Sequence, residues 1–275
     1  MQKLAYRVTG FTAVVSAAGF LLRWLQNMRI IDTETGLALP HMGINAVVVA
    51  LMVAVAAVLL GGCLWLRRYT SPLEPEQALA GKTFLYTVVG FVPVVLLFVS
   101  GVMQLFQANE EVWTDGSVVL HRICALATVA ASFGLGVVMA GASKADKATA
   151  RRVGSAILIL ADCLWLITVY KTAAADPVLW RYAVEILAIA AATVAVYYVA
   201  GYYFEEPHPK TALFFCELGA FFCFMCAMDE HTLADGVALV AHGVLLLTWG
   251  FAIVQNLIVA PEPQETGAEA EKTEE

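Results

Sequence analysis

Asp162 is the only charged residue in the apolar run Ser155–Tyr170, seven residues from its start. A carboxyl that deep is too short to reach either edge of a bilayer. Ionised and facing lipid, it would cost at least several kcal/mol. It is therefore expected to face neighbouring helices, either coupling protons or cations or sitting paired or protonated as a packing device. Arg23 and Arg122 are the cationic candidates to meet it. Arg23, Gln26, Gln104, Arg122 and His242 all fall in the outer half of their apolar runs. They read equally as an outward-facing polar vestibule or as side chains snorkelling to water. Arg181 and Glu185 are four residues apart on one run, a spacing that favours a local ion pair. Glu217 lies about two helical turns into its run, and Lys210, seven residues earlier, is about 10 Å below it. An interhelical hydrogen bond or a snorkelling contact accounts for it. These nine residues form the candidate polar site.

Other chemistry finds less support. His41, His121, His231 and His242 fall on or near the outer side, but no two share a helix at the spacing of a helical metal site. A bis-His haem would have to bridge the fourth and eighth runs, so no metal or cofactor is expected. All six cysteines lie within apolar runs. Cys223 and Cys226 form one C-x-x-C with no second pair and no adjacent His, which suits small apolar residues better than disulfides, redox or zinc. There is no H-E-x-x-H, no G-x-S-x-G elbow and no Gly-rich phosphate loop. No run carries a mid-membrane Lys for a Schiff base or an Arg ladder for voltage sensing. No catalytic residue set emerges, so an enzyme is not the favoured class.

The elements that must position these groups follow from composition. Of 275 residues, 60% are hydrophobic and 14% charged, with a mean hydropathy of +0.76. Soluble domains are nearer half apolar and a quarter charged, which argues against a soluble enzyme or a nucleic-acid-binding module. A span needs about 20 apolar residues. Eight such runs occur: Val8–Met28, Ile44–Leu66, Phe84–Phe106, Val118–Ala140, Ser155–Tyr170, Val178–Phe204, Ala212–Met228 and Val237–Ala260. They are too long for barrel strands and apolar all round, so they are helices. The first contains Arg23 and lacks a small-x-small cleavage site, so it reads as an uncleaved span. No loop is long enough for a soluble domain. The chain is thus one transmembrane domain, 1–260, with an acidic tail, 261–275. That tail holds six Glu and one Lys, carries −5 of the formal −7, and is expected to be disordered.

With the N-terminus inside, eleven of the sixteen Lys and Arg fall on the inner side and five on the outer. The positive-inside rule then places both termini in the cytoplasm of a cell with a bacterial inner, or plasma, membrane. The loops after the third and seventh runs hold only acids: Glu110, Glu111 and Asp115, then Asp229, Glu230 and Asp235. Both belong outside.

The two halves share small signals. Lys82-Thr83 opens the third run and Lys210-Thr211 the seventh. Asp115-Gly116 precedes His121, as Asp235-Gly236 precedes His242. This pattern reads as a parallel 4+4 repeat of 1–141 and 151–260, an arrangement transporters use around a central site, or as coincidence among apolar segments.

Leu22-Arg23-Trp24-Leu25-Gln26, followed by Ile31-Asp32-Thr33-Glu34-Thr35-Gly36-Leu37, resembles a segment of uncharacterised polytopic membrane proteins of anaerobic gut Firmicutes. There an L-R-x-x-Q helix end runs into a D-x-E-T-G turn. The resemblance covers about 16 residues and implies a polytopic membrane protein, with no activity attached.

The sequence therefore predicts an all-α bundle of about eight transmembrane helices, with the lipid bilayer as partner. The leading function is a small secondary transporter or permease-like protein for a small solute or ion. The rival is a non-catalytic sensor, scaffold or regulatory subunit.

Overall fold

The computed structural model describes residues 1–29, 43–72, 74–81, 84–110, 117–140, 148–174, 182–227, 229 and 231–259. The expectations for Arg181, for the D-x-E-T-G segment, for Glu111 and Asp115 and for the acidic tail lie outside these residues. The described chain is all-α except for two short strands. In order it forms α1 (Gln2–Arg29), α2 (Ile44–Trp65), β1 (Tyr69–Thr70), α3 (Pro75–Ala78), α4 (Phe84–Glu110), α5 (Ser117–Met139), α6 (Ala148–Ala173), α7 (Ala183–Gly201), α8 (Pro209–Met225), α9 (Leu233–Gln255) and β2 (Ile258–Val259).

Seven of these helices, α1, α2, α4, α5, α6, α7 and α9, are long and apolar enough to cross a membrane. Large apolar side chains such as Val53, Phe133 and Leu160 point outward from them, a surface that water would not tolerate and lipid does. The remaining expected span is α8, with 17 residues. Its length, about 25 Å, is close to a hydrocarbon core of roughly 30 Å. It packs between α1, α2, α7 and α9, and most of its side chains are buried, Glu217 and Phe221 included. The protein is a multi-spanning membrane protein.

Helices α4, α5, α6, α7, α8 and α9 form a closed ring in which each packs on the next and α9 returns to α4. Helix α1 lies across α8 and α9, and α2 flanks α1 and α8. The neighbour pattern differs between the two halves: α7 packs along α8, whereas α2, its counterpart in a 4+4 reading, packs on α1 and α8. Close approach sets α6 against α5. A side chain on Gly154 would come within 2.6 Å of the Gly134 carbonyl oxygen, and one on Gly134 within 2.8 Å of the Gly154 oxygen. Small residues allow this backbone contact.

Long-range polar pairs close both ends. At the end holding Gln2 and Gln255, the terminal end, β1 and β2 pair antiparallel, Tyr69 with Val259 and Thr70 with Ile258. Asn256 Nδ2 donates to the carbonyls of Ala78 at 3.0 Å and Ala80 at 2.9 Å, tying down the α2–α4 connection. Arg152 on α6 donates to the Tyr203 carbonyl at 2.6 Å and to Glu205 at 3.0 Å, satisfying a carbonyl at the close of α7. At the far end, buried Arg23 grips Asp229 in the α8–α9 turn with two bonds of 2.8 and 3.0 Å. Two parallel bonds are the strong geometry for an Arg–carboxylate pair. Asn27 also donates to Asp229, and Gln26 links Arg23 to Asn45 of α2.

Candidate functional site

Asp162 sits near the middle of α6 and His242 near the middle of α9. The two helices are not neighbours in the ring, so the side chains meet across its interior. Asp162 Oδ1 and His242 Nε2 are 3.0 Å apart, and the residues are only 3% and 2% exposed. The other imidazole nitrogen, Nδ1, lies 2.9 Å from the Ala238 carbonyl oxygen one turn earlier on α9. A carbonyl only accepts, so Nδ1 must carry a hydrogen. That fixes the state of the pair. Its short contact needs one further proton, held as a carboxylic acid donating to Nε2 or as an imidazolium donating to the carboxylate. Both forms are neutral overall. Without that proton, two acceptors would face each other at hydrogen-bonding distance. Asp162 and His242 are therefore a buried pair that shares one proton across the interior of the ring.

The pair lies beneath a polar chamber at the far end. Trp165, one turn above Asp162, covers the imidazole with its ring centroid 5.4 Å away. Beside the pair is a cavity of about 10 Å³ bounded by Gln104, Thr128, Asp162, Trp165 and His242. That is room for about one water molecule. Trp165 and Gln104 also line a second, larger cavity of about 540 Å³, walled by His121, Thr168, Glu185, His231 and Asp235. The turn into α9 shapes that chamber. Thr232 Oγ1 accepts from the Asp235 backbone N–H at 3.2 Å and donates to its carboxylate at 2.6 Å, a cap for α9. Gln104 reaches the same carboxylate at 3.4 Å, and Ser100 donates to the Ala234 carbonyl at 2.8 Å. His231 is held at 2.9 Å from the Cys226 carbonyl.

The nine sequence candidates separate into groups. Asp162, His242, Gln104 and Glu185 belong to the pair and its chamber. Arg23 and Gln26 belong to the Asp229 network between α1 and the α8–α9 turn. Arg122 lies exposed on α5. Neither arginine meets Asp162, whose partner is His242. Arg181 lies outside the described residues, so the local pair expected for Glu185 does too. Glu217 is buried apart from all of these, against Gly250 of α9 and Cys216. Its polar neighbour across helices is Thr12 of α1, which stands beside the carboxyl but outside strict hydrogen-bond geometry. Lys210 instead donates to the Arg67 carbonyl at 3.0 Å. Asp235, His121 and His231 were legible as polar residues near the outer side but not as walls of one chamber. Trp165 could be read only as lying beside Asp162 at i+3, lining a cavity or filling the core, and Asp229 only as an acid of an outer loop. Among the described residues, no three His, Cys, Asp or Glu converge as a metal ion would require.

No protein family, curated protein or solved structure matches the chain, and the functional reading therefore stands on this arrangement of side chains.

Proposed function

We propose that the protein is a small secondary transporter, in which one proton held between Asp162 and His242 is coupled to a polar solute taken up in the far-end chamber. The observation that carries this reading is the buried 3.0 Å pair set directly behind a chamber of about 540 Å³. Glu185 and Asp235 give the chamber acidic walls, which favours a small cationic or neutral hydrogen-bonding solute over an anion. Coupling follows from the hydrogen count. When the pair loses its proton, the Asp162 carboxylate needs a new donor, because Nε2 has become an acceptor facing it. A solute N–H moving past Trp165 supplies that donor. Loading of solute and release of the proton thus stabilise each other, which is the linkage a coupled carrier needs. Intramembrane carboxylates and histidines in a bundle interior serve proton relays in this way.

The test uses purified protein in vesicles containing a pH indicator, with small amines and neutral polar solutes added outside in turn. The wild type should change internal pH when its solute is added. Asp162→Asn, which cannot exchange the proton, should reduce that response about tenfold or more while still binding the solute. Undiminished coupling in Asp162→Asn overturns the reading. Absence of solute-driven proton movement with every compound would favour a sensor or scaffold.

A further inference from the structure

Glu217 poses a different chemical problem from Asp162. It is 1% exposed, and neither carboxylate oxygen has a hydrogen-bond partner among the described residues. Thr12 of α1 stands close enough to interact with the carboxyl, though outside strict hydrogen-bond geometry. Gly250 of α9 is pressed against the carboxylate, where any side chain would collide with it. The groups around it are few. Helix α1 brings Thr12 and, lower down, Arg7; α2 brings Cys63; α8 itself adds Cys216. None of these is a cation in contact with the carboxyl. An unpaired buried carboxylate is far too costly to persist, so the resting group is a neutral acid.

Glu217 is among the residues that line a cavity of about 250 Å³ wedged between α1, α2 and α8 near the terminal end, with its carboxyl oxygens buried behind that wall. Val8, Phe11, Leu59, Leu213 and Phe214 make the walls apolar, and Arg7 and Trp65 stand exposed at the rim. This cavity shares no residue with the Asp162 chamber, which opens from the opposite end.

We propose that this cavity is a second binding site, one that takes a lipophilic monovalent cation in exchange for the Glu217 proton. The exchange balances: the Glu217 O–H bond breaks, the proton leaves to water, and the carboxylate pairs with the ammonium of the ligand. Apolar walls take the hydrocarbon part, and the aromatic rings of Phe11 and Phe214 can face a cationic centre. Arg7 at the rim restricts the ligand to a single positive charge, because a second would meet the guanidinium. An anion drawn to Arg7 would find only a carboxyl and hydrocarbon further in.

The site can be tested with benzyltrimethylammonium, a permanent monocation small enough for the cavity, titrated calorimetrically into the full-length protein in detergent. Titrations in two buffers of different ionisation enthalpy count the protons released. Binding with release of one proton is expected, and affinity should weaken as pH falls. Glu217→Gln should weaken binding roughly tenfold or more, whereas Asp162→Asn should leave it unchanged, which separates this site from the proposed coupling pair. Dicyclohexylcarbodiimide gives a readout in the unaltered protein. The acid's O–H adds across one C=N bond, oxygen to carbon and proton to nitrogen, with no leaving group. Mass spectrometry should find the adduct on Glu217, with labelling suppressed by the cation. Binding without proton release, full binding in Glu217→Gln, no binding at all, or labelling indifferent to the cation would each overturn the proposal.

Discussion

The proton shared by Asp162 and His242 makes two substitutions of one residue behave differently. Asn at position 162 still offers an N–H to His242 Nε2, which is an acceptor because Nδ1 donates to the Ala238 carbonyl. Asp162→Asn should therefore unfold at nearly the wild-type temperature. Asp162→Leu strands a buried ring nitrogen and should lose about 1–3 kcal/mol of stability. Thermal unfolding in detergent distinguishes them, and equal loss in both would show that the hydrogen bond is not what Asp162 contributes. Asp162 was legible in the sequence because a lone acid in an apolar run has few physical options. Its partner was not. The apolar run begins at Ser155, but the helix begins at Ala148, with Arg151 and Arg152 inside it. Depth measured from Ser155 misplaces Asp162 relative to α9, and Arg23 and Arg122 then look like nearer partners than His242. Nor can hydropathy reveal that Glu217 lacks a partner, because that depends on three other helices.

At the scale of elements, the α5–α6 contact through Gly134 and Gly154 determines how far α6 leans into the ring, and so where Asp162 stands. Gly154→Leu should separate the two helices and destabilise the fold, with Gly154→Ala intermediate. Detergent unfolding midpoints in the order Gly, Ala, Leu are expected, and a flat series would remove this contact as the determinant. The Arg23–Asp229 pair is a separate clamp. Removing one partner of a buried ion pair costs about 3–5 kcal/mol because the other charge is left uncompensated. Arg23→Ala should therefore be more destabilising than the Arg23→Ala, Asp229→Ala double variant, as read from the same unfolding midpoints. Helix existence was almost fully legible, since apolar runs near span length admit little else. Helix ends were less so: α1 starts at Gln2, ahead of the expected Val8, and α8 stops at Met225, ahead of Met228. Polar residues at those ends join helices when backbone bonds can be satisfied locally, which hydropathy does not see.

For the whole molecule, the eight-helix reading makes a topological prediction. Reporter fusions at Asn109 and after Glu275 should report opposite sides of the membrane, with the C-terminal fusion in the cytoplasm, because the Lys and Arg balance favours the terminal end as the inner one. Equal sidedness would mean that α8 does not cross. The ring of α4 to α9 with α1 and α2 outside it could not be read from the sequence, where the Lys-Thr and Asp-Gly signals suggested equal halves. Which helices touch is decided by side-chain fit along their full length, and two dipeptide matches carry no information about that.

One pattern runs through both ends of the bundle and its centre: the turn before α9, α9 itself and the strand after it supply the second partner of distant polar groups. Asp229 completes Arg23, His242 completes Asp162, Asn256 caps the Ala78 and Ala80 carbonyls, and β2 completes β1. On the ribosome these partners are the last described residues to be made. Until they arrive, helices already made lack the Asp229 clamp on Arg23 and the ring nitrogen that Asp162 meets. The polar contacts of the bundle are therefore completed only once α9 is in place, and a chain stalled before α9 lacks them at both ends and at the centre.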